Sequence, residues 1–335
     1  MYRKLILGLF LCVLVAATLL VSACGTSKIN DTKQSTSIRY PEKEITLVCP
    51  WSAGGSSDLL ARALAQSANK KMEKPIIVVN RDGAGGGIAT LEVGQAKPDG
   101  YTIAVGASGL FTTQPFLKKV NYKIDDFDFL IGISDEPVLL TVRADSPDKN
   151  LEDLFQRAKS EKLVIKYGNS GIGTVPHLNL AYLFQMANIQ SQPVPFKSNT
   201  QALASLMGGH IDVSAAHPGE AIPQIKAGKI RALAISSAKR FASLPDVPTM
   251  MEKGYQIDMG VRKFIMVPKG MPTDIKVALT QILERSVADP EFVKAMSDIY
   301  LILEPMKGTE VVEYLKKEAP IMQRLLSNMQ KSEAK

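Results

Sequence analysis

The sequence predicts an α/β protein built in two parts. Strand-like and helix-like runs alternate along nearly the whole chain, the pattern of an α/β sheet architecture. Gly-rich turns stand where strands lead into helices. The chain has 335 residues, and the body left after a leader and a tether is long enough for two domains.

Arg3 and Lys4 precede an apolar run from Leu5 to Leu20, and small residues follow up to Cys24. A secretory signal has this layout, and the run is shorter than the roughly 20 residues of a spanning helix. Val21-Ser22-Ala23-Cys24 resembles the bacterial lipobox, so residues 1–24 are read as a lipoprotein signal with Cys24 as the lipidated residue. Residues 25–40 are polar and read as a flexible tether, with a reach of about 20 Å.

The body begins at Pro41. Ile45 to Cys49 is an apolar, β-branched run and reads as a buried strand. Leu59 to Ala65 repeats an apolar face and reads as a helix. Between them, Pro50-Trp51-Ser52-Ala53-Gly54-Gly55-Ser56-Ser57-Asp58 is a strand-to-helix turn. Its glycines permit close backbone approach, and the helix start offers free N–H groups and a positive dipole end to an anion. A tight turn capped by Ser56 or Asp58, without a ligand, fits the same residues. Ile76 to Val79 is a strand, Ile88 to Ala96 a helix, and Tyr101 to Val105 a strand. Val138 to Val142 is a strand and Leu151 to Ser160 an amphipathic helix. Leu163 to Tyr167 is a strand running into a second Gly-rich turn, Gly168-Asn169-Ser170-Gly171-Ile172-Gly173-Thr174, with Asn179 to Ala187 as the helix beyond it. Ala232 to Ile235 is a late strand, and Ile275 to Ala288 and Val311 to Met329 are helices.

Composition is that of a globular protein, 45% hydrophobic and 22% charged. Without Arg3 and Lys4 of the signal, the mature part, tether included, keeps 40 − 2 = 38 basic against 33 acidic residues. That mild, unclustered excess does not suit a nucleic-acid binder. Beyond Cys12 and Cys24 only Cys49 remains, inside the first strand, so no intramolecular disulfide is expected.

Enzyme signatures are missing. His177, His210 and His217 fit no zinc spacing. Neither Gly106-Ala107-Ser108-Gly109 nor Gly168-Asn169-Ser170-Gly171 completes a nucleophile elbow. Gly83 to Gly87 lacks the Lys of a phosphate loop, and Gly171-Ile172-Gly173 lacks the third glycine of a dinucleotide fingerprint. No catalytic residue, cofactor or metal is expected. What remains is a pair of Gly/Ser/Thr turns, one in each half, able to face one anion across a cleft.

The residues of these turns carry a family resemblance. Pro50 to Gly55 with Asp58, Ala61 and Arg62 resembles the first signature of the tripartite tricarboxylate transporter substrate-binding proteins, the Bug family of extracytoplasmic solute receptors. Asn80 to Gly86 resembles the second and Pro98-Asp99-Gly100-Tyr101 the third. Tyr167 to Thr174 with His177-Leu178 resembles the loop of the second domain. Val194 to Lys197, Gly208 to Asp212, Ala227 to Ala234 and Leu244 to Thr249 also match, in order. Two places depart from the pattern: Ser198 stands where Gly is usual, and Arg262-Lys263-Phe264 stands where Trp-x-Gly is common.

The resemblance implies a two-lobed, type II periplasmic-binding-protein-like fold with the ligand cleft between lobes. Residues 41–142 plus 263–335 would form lobe 1 and 143–262 lobe 2. It implies a receptor, not an enzyme, that captures a small organic anion such as a di- or tricarboxylate and delivers it to the membrane subunits of a tripartite tricarboxylate-type transporter. A receptor that senses its ligand and signals without transport is the alternative. The chain would be a monomer, extracytoplasmic and lipid-anchored to the cell membrane. Trp51, Ser52, Ala53, Gly54, Gly55 and Ser56 would bind from the first loop, and Asn169, Ser170, Gly171, Gly173 and Thr174 from the second. Asp58 either orders the loop or meets the ligand. His177 either packs or contacts it, Phe196 and Asp212 either line the cleft or close a strand, and Arg262 either pairs with a second ligand carboxylate or points to solvent.

Overall fold

The computed structural model describes residues 39–333. The expected signal, Cys24 and nearly all of the tether lie outside the described residues. In chain order the strands are β1 (Ile45–Cys49), β2 (Ile76–Asn80), β3 (Thr102–Ala107), β4 (Phe127–Glu136), β5 (Val138–Arg143), β6 (Ile165–Asn169), β7 (Ser191–Pro195), β8 (Val213–Ala216), β9 (Ile230–Ser236), β10 (Val261–Pro268) and β11 (Leu303–Lys307). The helices are α1 (Ser56–Asn69), α2 (Gly87–Gly94), α3 (Gly109–Thr112), α4 (Gln114–Leu117), α5 (Leu151–Ser160), α6 (Val175–Met186), α7 (Asn199–Met207), α8 (Pro218–Lys226), α9 (Thr273–Val287), α10 (Pro290–Asp298) and α11 (Gly308–Glu333).

The strands form two sheets, ordered β11-β4-β10-β3-β1-β2 and β7-β6-β8-β5-β9. Each joins parallel strands (β3-β1-β2, β7-β6-β8) to antiparallel ones. The apolar runs are buried on both faces, as parallel strands covered by helices require. Leu47, Leu60, Leu64 and Ile103 build a core on one face of the first sheet, and Val48, Ala104, Phe111 and Phe264 build one on the other. Leu140, Tyr167, Leu178 and Phe184 anchor the second sheet's larger core.

The chain passes between sheets at two adjacent points. Pro137 alone separates β4 from β5, and proline cannot donate to a ladder, so the pairing changes sheet there. The return runs through Gly260 into β10, where Val261 pairs with Glu136. A Cβ on Gly260 would lie 2.3 Å from Asp135 Oδ1, so only glycine lets the two crossings lie side by side. The lobe limits expected at 142 and 262 fall inside β5 and β10. Helix α11 also departs from a one-lobe placement. Val311 and Leu315 pack on the first sheet, whereas Met322 and Leu326 join the second sheet's core.

Candidate ligand-binding cleft

The β1–α1 turn is wired from within. Gly54 takes a positive φ of 80°, whereas Gly55, the residue before α1, is extended. Asp58, 2% exposed, accepts from Gly54 N–H (2.9 Å), Arg62 Nε (2.9 Å) and Asn80 Nδ2 (3.0 Å). Asn80 Nδ2 also donates to Trp51 O at 2.8 Å. Burial alone would raise the Asp58 carboxyl, but Arg62, the Gly54 N–H and Asn80 outweigh it and hold it below the usual value. Asp58 thus orders the loop.

The second turn is built the same way. Thr174 caps α6, its Oγ1 accepting from His177 N–H (3.4 Å) and donating to Gly171 O (2.7 Å). Asn169 Oδ1 accepts from Gly171 N–H at 2.9 Å. Gly171 has φ 121°, and a Cβ there would meet Gly85 Cα at 2.7 Å. This second turn therefore touches the loop of residues 83–87, which follows β2, backbone to backbone across the cleft.

Between them lies a cavity of about 40 Å³, room for roughly three water-sized sites. Trp51, Gly55, Ser56, Ser57 and Gly85 line it from the first-sheet side. Ser170, Thr174, Ser198, Asn199, His217 and Glu220 line it from the second. The starts of α1, α6, α7 and α8 converge here, each bringing the positive end of a helix dipole. Lys263, 1% exposed, forms the floor, with its Nζ 2.6 Å from Glu136 Oε1. Ser56 Oγ bonds both Lys263 and Glu136, and His217 Nδ1 meets Pro137 O at 3.1 Å. Among the described residues no group of three or more His, Cys, Asp or Glu side chains could hold a metal ion.

A family model described as "Tripartite tricarboxylate transporter family receptor" matches residues 60–327. The chain belongs to this family. A curated relative, a UPF0065 protein of Cupriavidus necator from the gbd 5' region, is 30% identical over 297 residues, which span 87% of this chain and 90% of that one. The solved periplasmic binding protein BugD is 31% identical with a TM-score of 0.83, covering 87% of this chain and 99% of its own. R. palustris Rpa4515, solved with adipate, is 26% identical with a TM-score of 0.83, covering 87% and 98%. The family is one of solute-binding receptors, not of enzymes.

In this receptor the residues singled out from sequence divide by position. Trp51, Gly55, Ser56, Ser170 and Thr174 line the cavity. Gly171 and Phe196 line the shallower mouth with Trp51 and Lys197. Ala53 and Gly54 sit exposed at the rim. Ser52 turns to Asp82 (3.1 Å), and Gly173 packs against Gln114. His177 stacks on Tyr167 with ring centroids 6.0 Å apart, and burial pushes its imidazole down to about 4, so it stays neutral. Asp212 Oδ2 accepts from Lys166 N–H at the start of β6, the end away from the cavity.

Arg262 needs correction. Neighbouring strand residues point to opposite faces, so Lys263 takes the cavity and Arg262 the other side. There Arg262 pairs with Asp135 (2.9 Å) and Glu304 (2.6 Å) and lies 4.6 Å from the Tyr314 ring centroid. It faces neither the cleft nor open solvent. Lys263, Glu136, Ser198, Asn199, His217 and Glu220 were not marked as binding residues by sequence. The departures at Ser198 and at Arg262-Lys263 were the only signals pointing toward them.

Behind Arg262, burial raises the Glu318 carboxyl to about 7; Tyr314 and Arg262 oppose the rise and Asp135 adds to it. A folded value above the unfolded 4.5 means that the unfolded chain releases its proton first as pH rises. Stability is then lost between about 4.5 and about 7 and stays lower above that. Glu318→Gln should therefore gain about 1–3 kcal/mol at pH 8 and almost nothing at pH 4. Urea unfolding at both values checks this; an equal effect at both would contradict it.

Proposed function

We propose that this receptor captures a small organic carboxylate between its lobes. It holds the anion with backbone N–H groups and hydroxyls of the two Gly-rich loops and hands it to the membrane subunits of a tripartite tricarboxylate-type transporter. The observation that carries this reading is the cavity where four helix starts converge from both sides, with Gly171 of the second loop against Gly85 of the loop after β2 beside it. Such N–H groups suit a carboxylate without selecting its carbon skeleton. The relative solved with adipate supports a carboxylate of this size. Uptake tests the reading. Cells lacking the receptor should lose uptake of at least one labelled small carboxylate from a panel of di- and tricarboxylates, their mono-amides and amino acids, restored by the intact gene. Unchanged uptake across such a panel would contradict delivery to a transporter.

The anchor is part of the same proposal. Among the described residues no helix is long and apolar enough to cross a membrane. A lipidated Cys24 would hold the receptor at the extracytoplasmic face, two or more acyl chains being needed for firm attachment. Cys24→Ala should move the protein from the membrane to the soluble fraction of fractionated cells. Retention equal to that of the parent would contradict lipid anchoring.

A further inference from the structure

The cavity's charges are spent unevenly. Its only formally charged lining side chains are Lys263 and Glu220. Lys263 is neutralised by Glu136 beneath it, both almost wholly buried. Among the described residues Glu220 has no cationic partner within 4.0 Å. It reaches across the cleft, Oε1 accepting from Ser56 N–H at 2.9 Å while Oε2 accepts from its own His217 N–H at 3.2 Å. An acceptor of this chain thus holds the first N–H of α1. Beside it Asn199, 3% exposed, also lines the cavity, and its buried Oδ1 has no hydrogen-bond partner among the described residues. Two residues of the cavity wall thus present acceptors, the Glu220 carboxylate with no neutralising cation and the Asn199 Oδ1 with no donor among the described residues. A buried acceptor left unpaired is costly, and a second anion beside Glu220 would add repulsion.

Resting on the carboxylate reading above, we propose that the ligand carries one carboxylate and, at its other end, a hydrogen-bond donor, an ammonium or a primary amide, seated against Glu220 and Asn199 Oδ1. Glu220 is then the residue that separates such ligands from dicarboxylates of the same length. A donor there pairs with both acceptors. A second carboxylate pairs with neither and meets like charge, the form of discrimination in which an unpaired buried group rejects the wrong ligand.

The test is calorimetric titration of the purified receptor with length-matched probes. These are succinate and succinamate, glutarate with glutaramate and 4-aminobutyrate, and adipate with adipamate and 5-aminovalerate. The intact receptor should bind at least one mono-amide or amino acid about tenfold or more tightly than its matched dicarboxylate. Glu220→Gln, which keeps the shape and the acceptor for His217 N–H while giving up the one for Ser56 N–H, should shrink or reverse that ratio. Asn199→Ala should weaken the donor-bearing probe about tenfold and leave the dicarboxylate nearly unchanged, so the idea does not depend on one variant. A dicarboxylate bound more tightly by the intact receptor, or a ratio that Glu220→Gln leaves unaltered, overturns the assignment while the carboxylate reading stands. Failure of every probe to bind overturns both.

Discussion

Replacing Lys263 by Met should destabilise the receptor by about 3–5 kcal/mol, the usual cost of stranding one member of a buried ion pair. Glu136 is 2% exposed, and besides Lys263 its carboxylate has Ser56, Ser134 and a more distant His217 Nδ1 at 3.9 Å. Burial alone would raise its carboxyl, but the Lys263 charge leads the terms that overcome this and hold it below the ordinary 4.5. In the intact protein the pair therefore contributes stability that is present above pH 4.5 and lost as pH falls through the lowered folded value. Without Lys263 the sign reverses, and the deficit should grow as pH rises from 5 to 8. The double variant Lys263→Met with Glu136→Gln keeps the hydroxyl contacts without the charge and should recover at least half of the loss. Denaturant unfolding of the three proteins at pH 5 and 8 decides this. A loss under about 1 kcal/mol, or no recovery in the double variant, would mean the pair is well solvated.

Gly171→Val should weaken ligand binding about 100-fold or more, equivalent to about 2.7 kcal/mol. The side chain meets two obstacles. At φ 121° the backbone is closed to valine, and its Cβ would lie 2.7 Å from Gly85 Cα and 3.1 Å from Gly85 N. Backbone does not swing aside as a flexible side chain does, so the two lobes must separate. The dihedral strain acts within the second lobe and should cost stability about 1–3 kcal/mol, whether or not ligand is present. The separation acts only on the cleft. Calorimetry and thermal unfolding together resolve the two. Lost stability with unchanged affinity would show that contact between the loops is not needed for binding.

The part of the site that was legible in sequence is the part made by local chain. Gly54 and Gly55 lie between an apolar run and good helix formers, so the turn and the helix start were readable, whereas Asp58 was left between ordering the loop and meeting the ligand. The second loop was readable for the same reason. What was not legible depends on partners far along the chain. Arg262 and Lys263 lie in a strand buried at every position, yet two adjacent charges read as a surface or ligand-facing pair. They are buried because Asp135 and Glu136 on β4 and Glu304 on β11 meet them from opposite faces. Glu220 was hidden likewise. Pro218 and Pro223 obscure the short helix that carries it, and its partner is the N–H of Ser56 in the other lobe. Strand β7, with Pro193 and Pro195, is tolerated because it is an edge strand, where a missing donor costs no ladder bond.

The central claim is that an organic carboxylate closes the two lobes around the cavity. X-ray scattering of the purified receptor, followed through a titration with carboxylates of three to six carbons and their mono-amides, tests it most directly. The account predicts a saturable decrease in radius of gyration at one equivalent of at least one probe, with micromolar affinity, about 8 kcal/mol. The same probe should leave Gly171→Val expanded. A radius that no probe alters, or an equal decrease in Gly171→Val, would contradict closure by these two loops.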